Sequence, residues 1–196
     1  MTTTTASLAI DYAKAINWSR WFTLVKTLGD HCNGRKDRFD KADILENGIA
    51  VYSGGRLEWV DGIGRDHHDT LLNLDIEFKF AKNSMFSKTK KNGFVPKKVI
   101  NMKIKNSLGD TTTAEIQDPA AYYMFAQEEA VGLISYEEMK PYLKVVGDGI
   151  STEIPHEKMT FIQVPSDSES QEESLVTACD YLQRKRAMQL AFIDSI

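Results

Sequence analysis

Two cysteines in 196 residues, Cys32 and Cys179, stand far apart with no second cysteine near either. That spacing excludes a disulfide framework and a cysteine zinc site, and leaves two reduced, buried thiols as the expectation. No apolar run approaches the roughly 20 residues that a membrane span requires, so no membrane association is expected. The opening Met1 to Ala6 is a threonine run without basic residues or an apolar signal core, which makes the cytoplasm the expected compartment. Also missing are a glycine-rich phosphate loop, a serine or cysteine in a nucleophile motif, and any internal repeat. Nucleotide-dependent phosphoryl transfer and acyl-enzyme chemistry therefore have no sequence support.

One further absence is local. Between Lys82 and Lys105 there is no acidic residue, while Lys82, Lys88, Lys90, Lys91, Lys97, Lys98, Lys103 and Lys105 give the stretch a charge of +8. The whole chain is −4, so the remainder carries −12. A polyanion can bind such a segment despite the acidic total. Asn83, Ser84, Asn92, Asn101 and Asn106 lie among or beside these lysines as candidates for base or phosphate contacts.

What is present has the composition of one globular domain, 42% hydrophobic and 27% charged. Apolar positions from Ala6 to Leu28 fit one or two amphipathic helices, and Phe39 to Ala50 fits another. Gly54-Gly55 breaks the chain. Leu57 to Val60 reads as a short strand, and Asp61 to Gly64 with the polar Arg65 to Asp69 reads as a bend and hairpin connection. From Leu72 to Phe80 the alternation is strict: Leu72, Leu74, Ile76, Phe78 and Phe80 face one way, and Asn73, Asp75, Glu77 and Lys79 the other. Further strands are expected at Val99 to Lys105, at Tyr122 to Ala126 paired with Ala130 to Ser135, and at Phe161 to Val164, with a short helix at Tyr136 to Leu143. The acidic Pro165 to Ser174 reads as a linker and Leu175 to Ile193 as a terminal helix. The expected organisation is a single domain over 1–164, the linker 165–174 and a C-terminal helix in 175–196. The expected fold class is α/β or α+β, a central mixed β-sheet flanked by helices.

The alternating strand carries the chemistry. Phosphodiester hydrolysis needs a divalent cation to neutralise developing charge and acidify a water, and a further cation to hold that water or a phosphate oxygen. Hard cations take oxygen ligands, typically one or two carboxylates plus waters. Glu77 and Lys79 share a strand face, and Asp61, at the end of the preceding strand, reaches the same spot if the two strands pair. Asp75 is an alternative second carboxylate. His67-His68 between Asp66 and Asp69 offers a rival metal set, weakened because neighbours on an extended strand face opposite sides; DNA contact from a hairpin tip and, ahead of it, plain solvent exposure are the favoured readings. The competing structural explanations are a solvated strand face for Asp75, Glu77 and Lys79, a turn role for Asp61, and a solvated loop for the lysines.

Val60-Asp61-Gly62, a gap of fifteen residues from Asp61, and then Glu77-Phe78-Lys79 resemble the PD-(D/E)XK nuclease superfamily, to which many type II restriction enzymes belong. Val60 stands where the family usually has proline. The resemblance covers roughly Phe39 to Leu143 in layout and a few residues in motif. It implies a restriction endonuclease-like fold, with Asp61 and Glu77 as ligands of Mg2+ (Mn2+ substituting) and Lys79 orienting the attacking water. Glu46, on the preceding helix, is the candidate for a third carboxylate ligand. The implied function is Mg-dependent cleavage of double-stranded DNA, either sequence-specific or directed to structures and ends, with a non-catalytic DNA-binding protein as the alternative from another class. The implied assembly is a homodimer, for which the helix bearing Trp18, Trp21 and Phe22 and the C-terminal helix are candidate surfaces if they are not core.

Overall fold

A computed structural model describes residues 4–31, 38–62, 64–80, 86–89, 93–96, 99–104, 109–110, 114–127, 130–147 and 149–163. Backbone alone is described at 27–31, 38–43, 61–62, 86–89, 93–96, 99–104, 109–110 and 162–163. Outside the described residues fall Cys32, Cys179, the linker 165–174, the terminal helix expected at Leu175 to Ile193, Lys82, Lys90, Lys91, Lys97, Lys98, Lys105, Asn83, Ser84, Asn92 and Asn106.

The N-terminal apolar stretch divides into two helices, α1 (Thr5–Ala15) and α2 (Trp18–His31). The break follows from local chemistry: Ile16 is extended, and Asn17 Oδ1 accepts the amide of Arg20, the bond of a helix N-cap. Helix α3 (Arg38–Tyr52) then packs on α2. Gly48 permits the close approach, because a methyl there would sit 2.7 Å from Leu24 Cδ2 and 3.3 Å from Trp21 Cδ1. Trp21 donates its indole N–H to the Leu45 carbonyl at 2.8 Å and meets Phe22 and Phe78 edge-on. Trp18, Trp21 and Phe22 are all buried, so they are core and not the dimer surface considered above.

Strands β1 (Leu57–Gly62), β2 (Arg65–Asp69) and β3 (Leu74–Phe80) form an antiparallel meander. Next come the hairpin β4 (Phe86–Thr89) and β5 (Gly93–Pro96), then β6 (Val99–Ile104), and the short pair β7 (Gly109–Asp110) and β8 (Glu115–Ile116). The hairpin of β9 (Tyr122–Gln127) and β10 (Ala130–Ser135) leads into α4 (Tyr136–Met139) and a 3-10 turn at Lys140–Tyr142. Finally β11 (Leu143–Val146) and β12 (Gly149–Pro155) pair, a 3-10 turn covers His156–Lys158, and β13 (Thr160–Gln163) follows. The principal sheet has the order β1-β2-β3-β9-β10-β13, with β3 parallel to β9 and its other pairs antiparallel. A smaller sheet has the order β11-β12-β6.

The chain is thus a mixed α+β protein with a six-stranded mixed sheet and four helices among its described residues. Helices α1 to α3 cover one face of the sheet, burying Leu57, Ile76, Phe78, Met124, Ala126, Val131 and Leu133. On the other face Tyr123, Phe125 and Ile134 pack with α4 and with Leu143, Ile150 and Ile154 of the smaller sheet. Among the described residues that second core draws no side chain from β1 to β3, and on that face β2 and β3 carry Asp66, His68, Asp75, Glu77 and Lys79. Among the described residues no helix is long and apolar enough to cross a membrane.

Arg65 to Asp69 corrects the expected hairpin connection, because it forms β2, inserted between β1 and β3. It was hidden by its inward residues: His67 and Asp69 are 1% and 0% exposed, filling positions where apolar side chains would have marked a strand. Leu72 and Asn73 belong instead to the turn before β3, where Asn73 takes a left-handed φ of 52°.

Candidate active site

The strand parity of β3 sends Ile76 and Phe78 to the helices and Glu77 and Lys79 to the opposite face. On β2 the same parity sends His67 inward, where its ring meets Phe78 edge-on and its Nε2 donates to the Glu46 carbonyl at 2.7 Å. Asp66 and His68 therefore accompany Glu77 and Lys79. The β2–β3 ladder runs through His67↔Ile76 and stops before Asp66. There the Asp66 side chain replaces a ladder carbonyl, its Oδ2 accepting the Phe78 amide at 2.6 Å. The carboxylate is thus anchored at the mouth between two strands, beside the Glu77 position.

Three charged groups converge at this point. Lys79 Nζ donates to Glu77 Oε1 and to the Phe78 carbonyl at 3.2 Å, and lies 3.7 Å from Asp66 Oδ2. Glu77 is 5% exposed, yet its Oε2 has no hydrogen-bond partner. Among the described buried side chains it is the only such carboxylate oxygen. Asp69 is the internal comparison. Equally buried, it accepts from the amides of Leu71 and Leu72, from Tyr12 Oη at 2.8 Å and from Arg56 Nε at 3.2 Å. A buried polar group without a partner costs about 1–3 kcal/mol, so Asp69 has the form of a structural carboxylate and Glu77 that of a ligand-accepting one.

A second polar cluster adjoins the first. Asp75, two residues before Glu77 on its face, accepts from His68 Nδ1 at 2.7 Å and from Arg65 Nη1 at 2.8 Å, one bond to each oxygen. Arg65 also pairs with Asp118 Oδ2. Both Asp75 oxygens are therefore engaged within the protein. His67 and His68 diverge as adjacent strand residues must, one to the helices and one to the polar face. Burial pushes the His67 imidazole below its usual titration range, against the opposing pull of the Glu46 carbonyl and of Asp66.

The sequence-level candidates distribute as follows. Glu77 and Lys79 share one site with Asp66, which the sequence offers only within the rival set around the two histidines. Asp61 lies on β1, which pairs with β2 and not with β3, so the pairing of its strand with the Glu77 strand is corrected. The Asp61 side chain is outside the described residues. Glu46 is half-buried on α3, and its backbone carbonyl meets His67 on the helix-covered face, across the sheet from Glu77. Of the lysine-rich stretch, Lys88 and Lys103 are placed by backbone alone; the register sets Lys88 opposite Phe94, and Asn101 and Lys103 opposite Glu153 and Ser151.

Among the described residues no group of three or more His, Cys, Asp or Glu side chains gathers around one point. The oxygen donors here are the carboxylates of Glu77 and Asp66, with Lys79 beside them, and two carboxylates fit magnesium, which keeps several waters and needs only one or two. The orphaned Glu77 Oε2 would supply an oxygen for such an ion. No protein-family model matches the chain, and no curated protein matches it.

Proposed function

We propose that the protein is a magnesium-dependent endonuclease that hydrolyses phosphodiester bonds of double-stranded DNA, with a restriction endonuclease-like core. The observation that carries this is the buried, half-satisfied Glu77 carboxylate, held beside Lys79 and Asp66 where β2 and β3 part. Glu77 and Asp66 are the ligands for the ion, which supplies charge neutralisation and an acidified water. Asp66 thus stands beside Asp61 as the candidate for the acid preceding Glu77-x-Lys79, and it has the described geometry. Lys79, on the same face, holds the attacking water or a non-bridging phosphate oxygen. The lysines between Lys82 and Lys105 follow β3 directly in the chain and supply phosphate neutralisation. A homodimer, one site per DNA strand, is the proposed assembly, in the cytoplasm.

The test is incubation of the purified chain with plasmid and phage DNA, with magnesium or with EDTA, read on a gel. Discrete magnesium-dependent fragments are the expected result for a sequence-specific enzyme, and a ladder or smear assigns the same site to structure- or end-directed cutting. Intact DNA across several substrates and divalent metals would refute the proposal and leave a DNA-binding protein.

A further inference from the structure

The Arg65 cluster contains a guanidinium whose two ends are held very differently. Its Nη1 bonds Asp75 Oδ2 at 2.8 Å, and Asp75 is itself fixed by His68 on its other oxygen and by its backbone carbonyl, which accepts the Ala121 amide at 2.9 Å. Its Nη2 pairs with Asp118, whose side chain is 81% exposed on a residue with φ of 49°. Arg65 is one-third exposed and immediately precedes Asp66 on β2. One prong is therefore locked into the sheet beside the carboxylate centre, and the other is capped by a carboxylate standing in solvent.

We propose that Arg65 binds a DNA backbone phosphate next to the scissile one, and that Asp118 occupies its outer prong until a phosphate displaces it. This rests on the nuclease assignment and adds to it a subsite and a built-in competitor. A guanidinium fork matches phosphate as it matches carboxylate, and Arg does not lose its charge. An exposed ion pair such as Arg65–Asp118 contributes little, whereas a phosphate contact also releases condensed counterions. The exchange therefore favours DNA. Asp75 is a positioning residue here, because it aims the guanidinium without touching the substrate. Asp118 also adds an exposed negative charge beside Arg65, and it lowers affinity for any duplex that does not press a phosphate onto Arg65.

The experiment measures binding of a fluorescent duplex of about 25 base pairs by anisotropy, with Ca2+ replacing Mg2+ to prevent cutting, across ~50 to ~300 mM NaCl. Asp118→Asn keeps a residue that tolerates the left-handed backbone and is expected to tighten binding by about fivefold at low salt. Arg65→Ala is expected to weaken binding and lower the slope of log affinity against log salt by about 0.9. In the Arg65→Ala background Asp118→Asn should have no further effect. Arg65→Lys, which keeps the charge near Asp75, serves if the alanine variant fails to fold; it should retain the slope and lose affinity. Unchanged or weaker binding by Asp118→Asn, or an unchanged slope in Arg65→Ala, overturns the proposal. If the wild type cuts DNA while these variants bind like it, only the Arg65 subsite falls. If the wild type neither binds nor cuts, the nuclease assignment falls too.

Discussion

Glu77→Met separates a functional carboxylate from a structural one, because the two roles give opposite signs for stability. In the wild type one carboxylate oxygen is buried without a partner, and removing such a group recovers about 1–3 kcal/mol. The loss is the pair with Lys79, whose side chain is 28% exposed and lies 3.7 Å from Asp66. A partly exposed pair contributes about 0–1 kcal/mol after solvent screening. Met approximates Glu in length and brings no polar atom, so the balance is a gain of about 1 kcal/mol, or about 2–4 °C in Tm for a chain of this size. Urea unfolding followed by far-UV circular dichroism in EDTA reads that gain. Magnesium supplies the second arm. At tenfold excess over its dissociation constant it stabilises the wild type by about 1.4 kcal/mol and leaves the Met variant unmoved. DNA cleavage should vanish in the same variant. A variant that is destabilised, still cuts DNA and still responds to magnesium would refute the assignment of Glu77 as a ligand.

The remaining predictions concern the neighbours. Lys79→Ala should abolish cleavage with the circular dichroism spectrum intact, and Asp66→Asn should lower cleavage by orders of magnitude; if instead Asp61→Asn alone does so, the acid belongs to β1. Gly48→Ala should lower the urea midpoint by an amount equivalent to about 1–2 kcal/mol, because overpacking at Leu24 and Trp21 outweighs the gain in helix propensity. Burial lowers the His67 pKa in the fold, so the unfolded chain binds its proton first as pH falls. Stability from this group is complete above the unfolded value of about 6.5 and declines below it. Urea midpoints from pH 8 to pH 5 should show that decline, and His67→Phe should flatten it.

The polar face of β3 was legible because Leu74, Ile76 and Phe78 alternate with Asp75, Glu77 and Lys79, and apolar alternation is the strongest signal that a strand emits. Apolar residues at helical spacing placed α3, and short, nearly continuous apolar runs placed β9 and β10. Alternation failed at β2, where the inward groups are an imidazole bonded to a helix carbonyl and a carboxylate with four donors, two of them from the following turn and two from Tyr12 and Arg56 far away in sequence. Losing that strand left Asp66 unassigned. An aspartate at the start of a five-residue run just before an alternating strand was the available clue, and the two glycines Gly62 and Gly64 mark the turn that precedes it. The hairpin of β11 and β12 escaped for a different reason. Its outward residues Lys144, Val145 and Val146 are exposed regardless of polarity, so hydropathy carries little register there.

The parallel pairing of β3 with β9 also bears on the order in which the fold is made. β2 is available to β3 as soon as a short turn closes, but β9 arrives only after about forty further residues, and closing that loop is the slower, entropy-limited step. During synthesis, then, Asp66 and Glu77 meet on a hairpin whose far edge is still open. The strand that completes the sheet around them comes only once the lysine-rich segment has emerged from the ribosome.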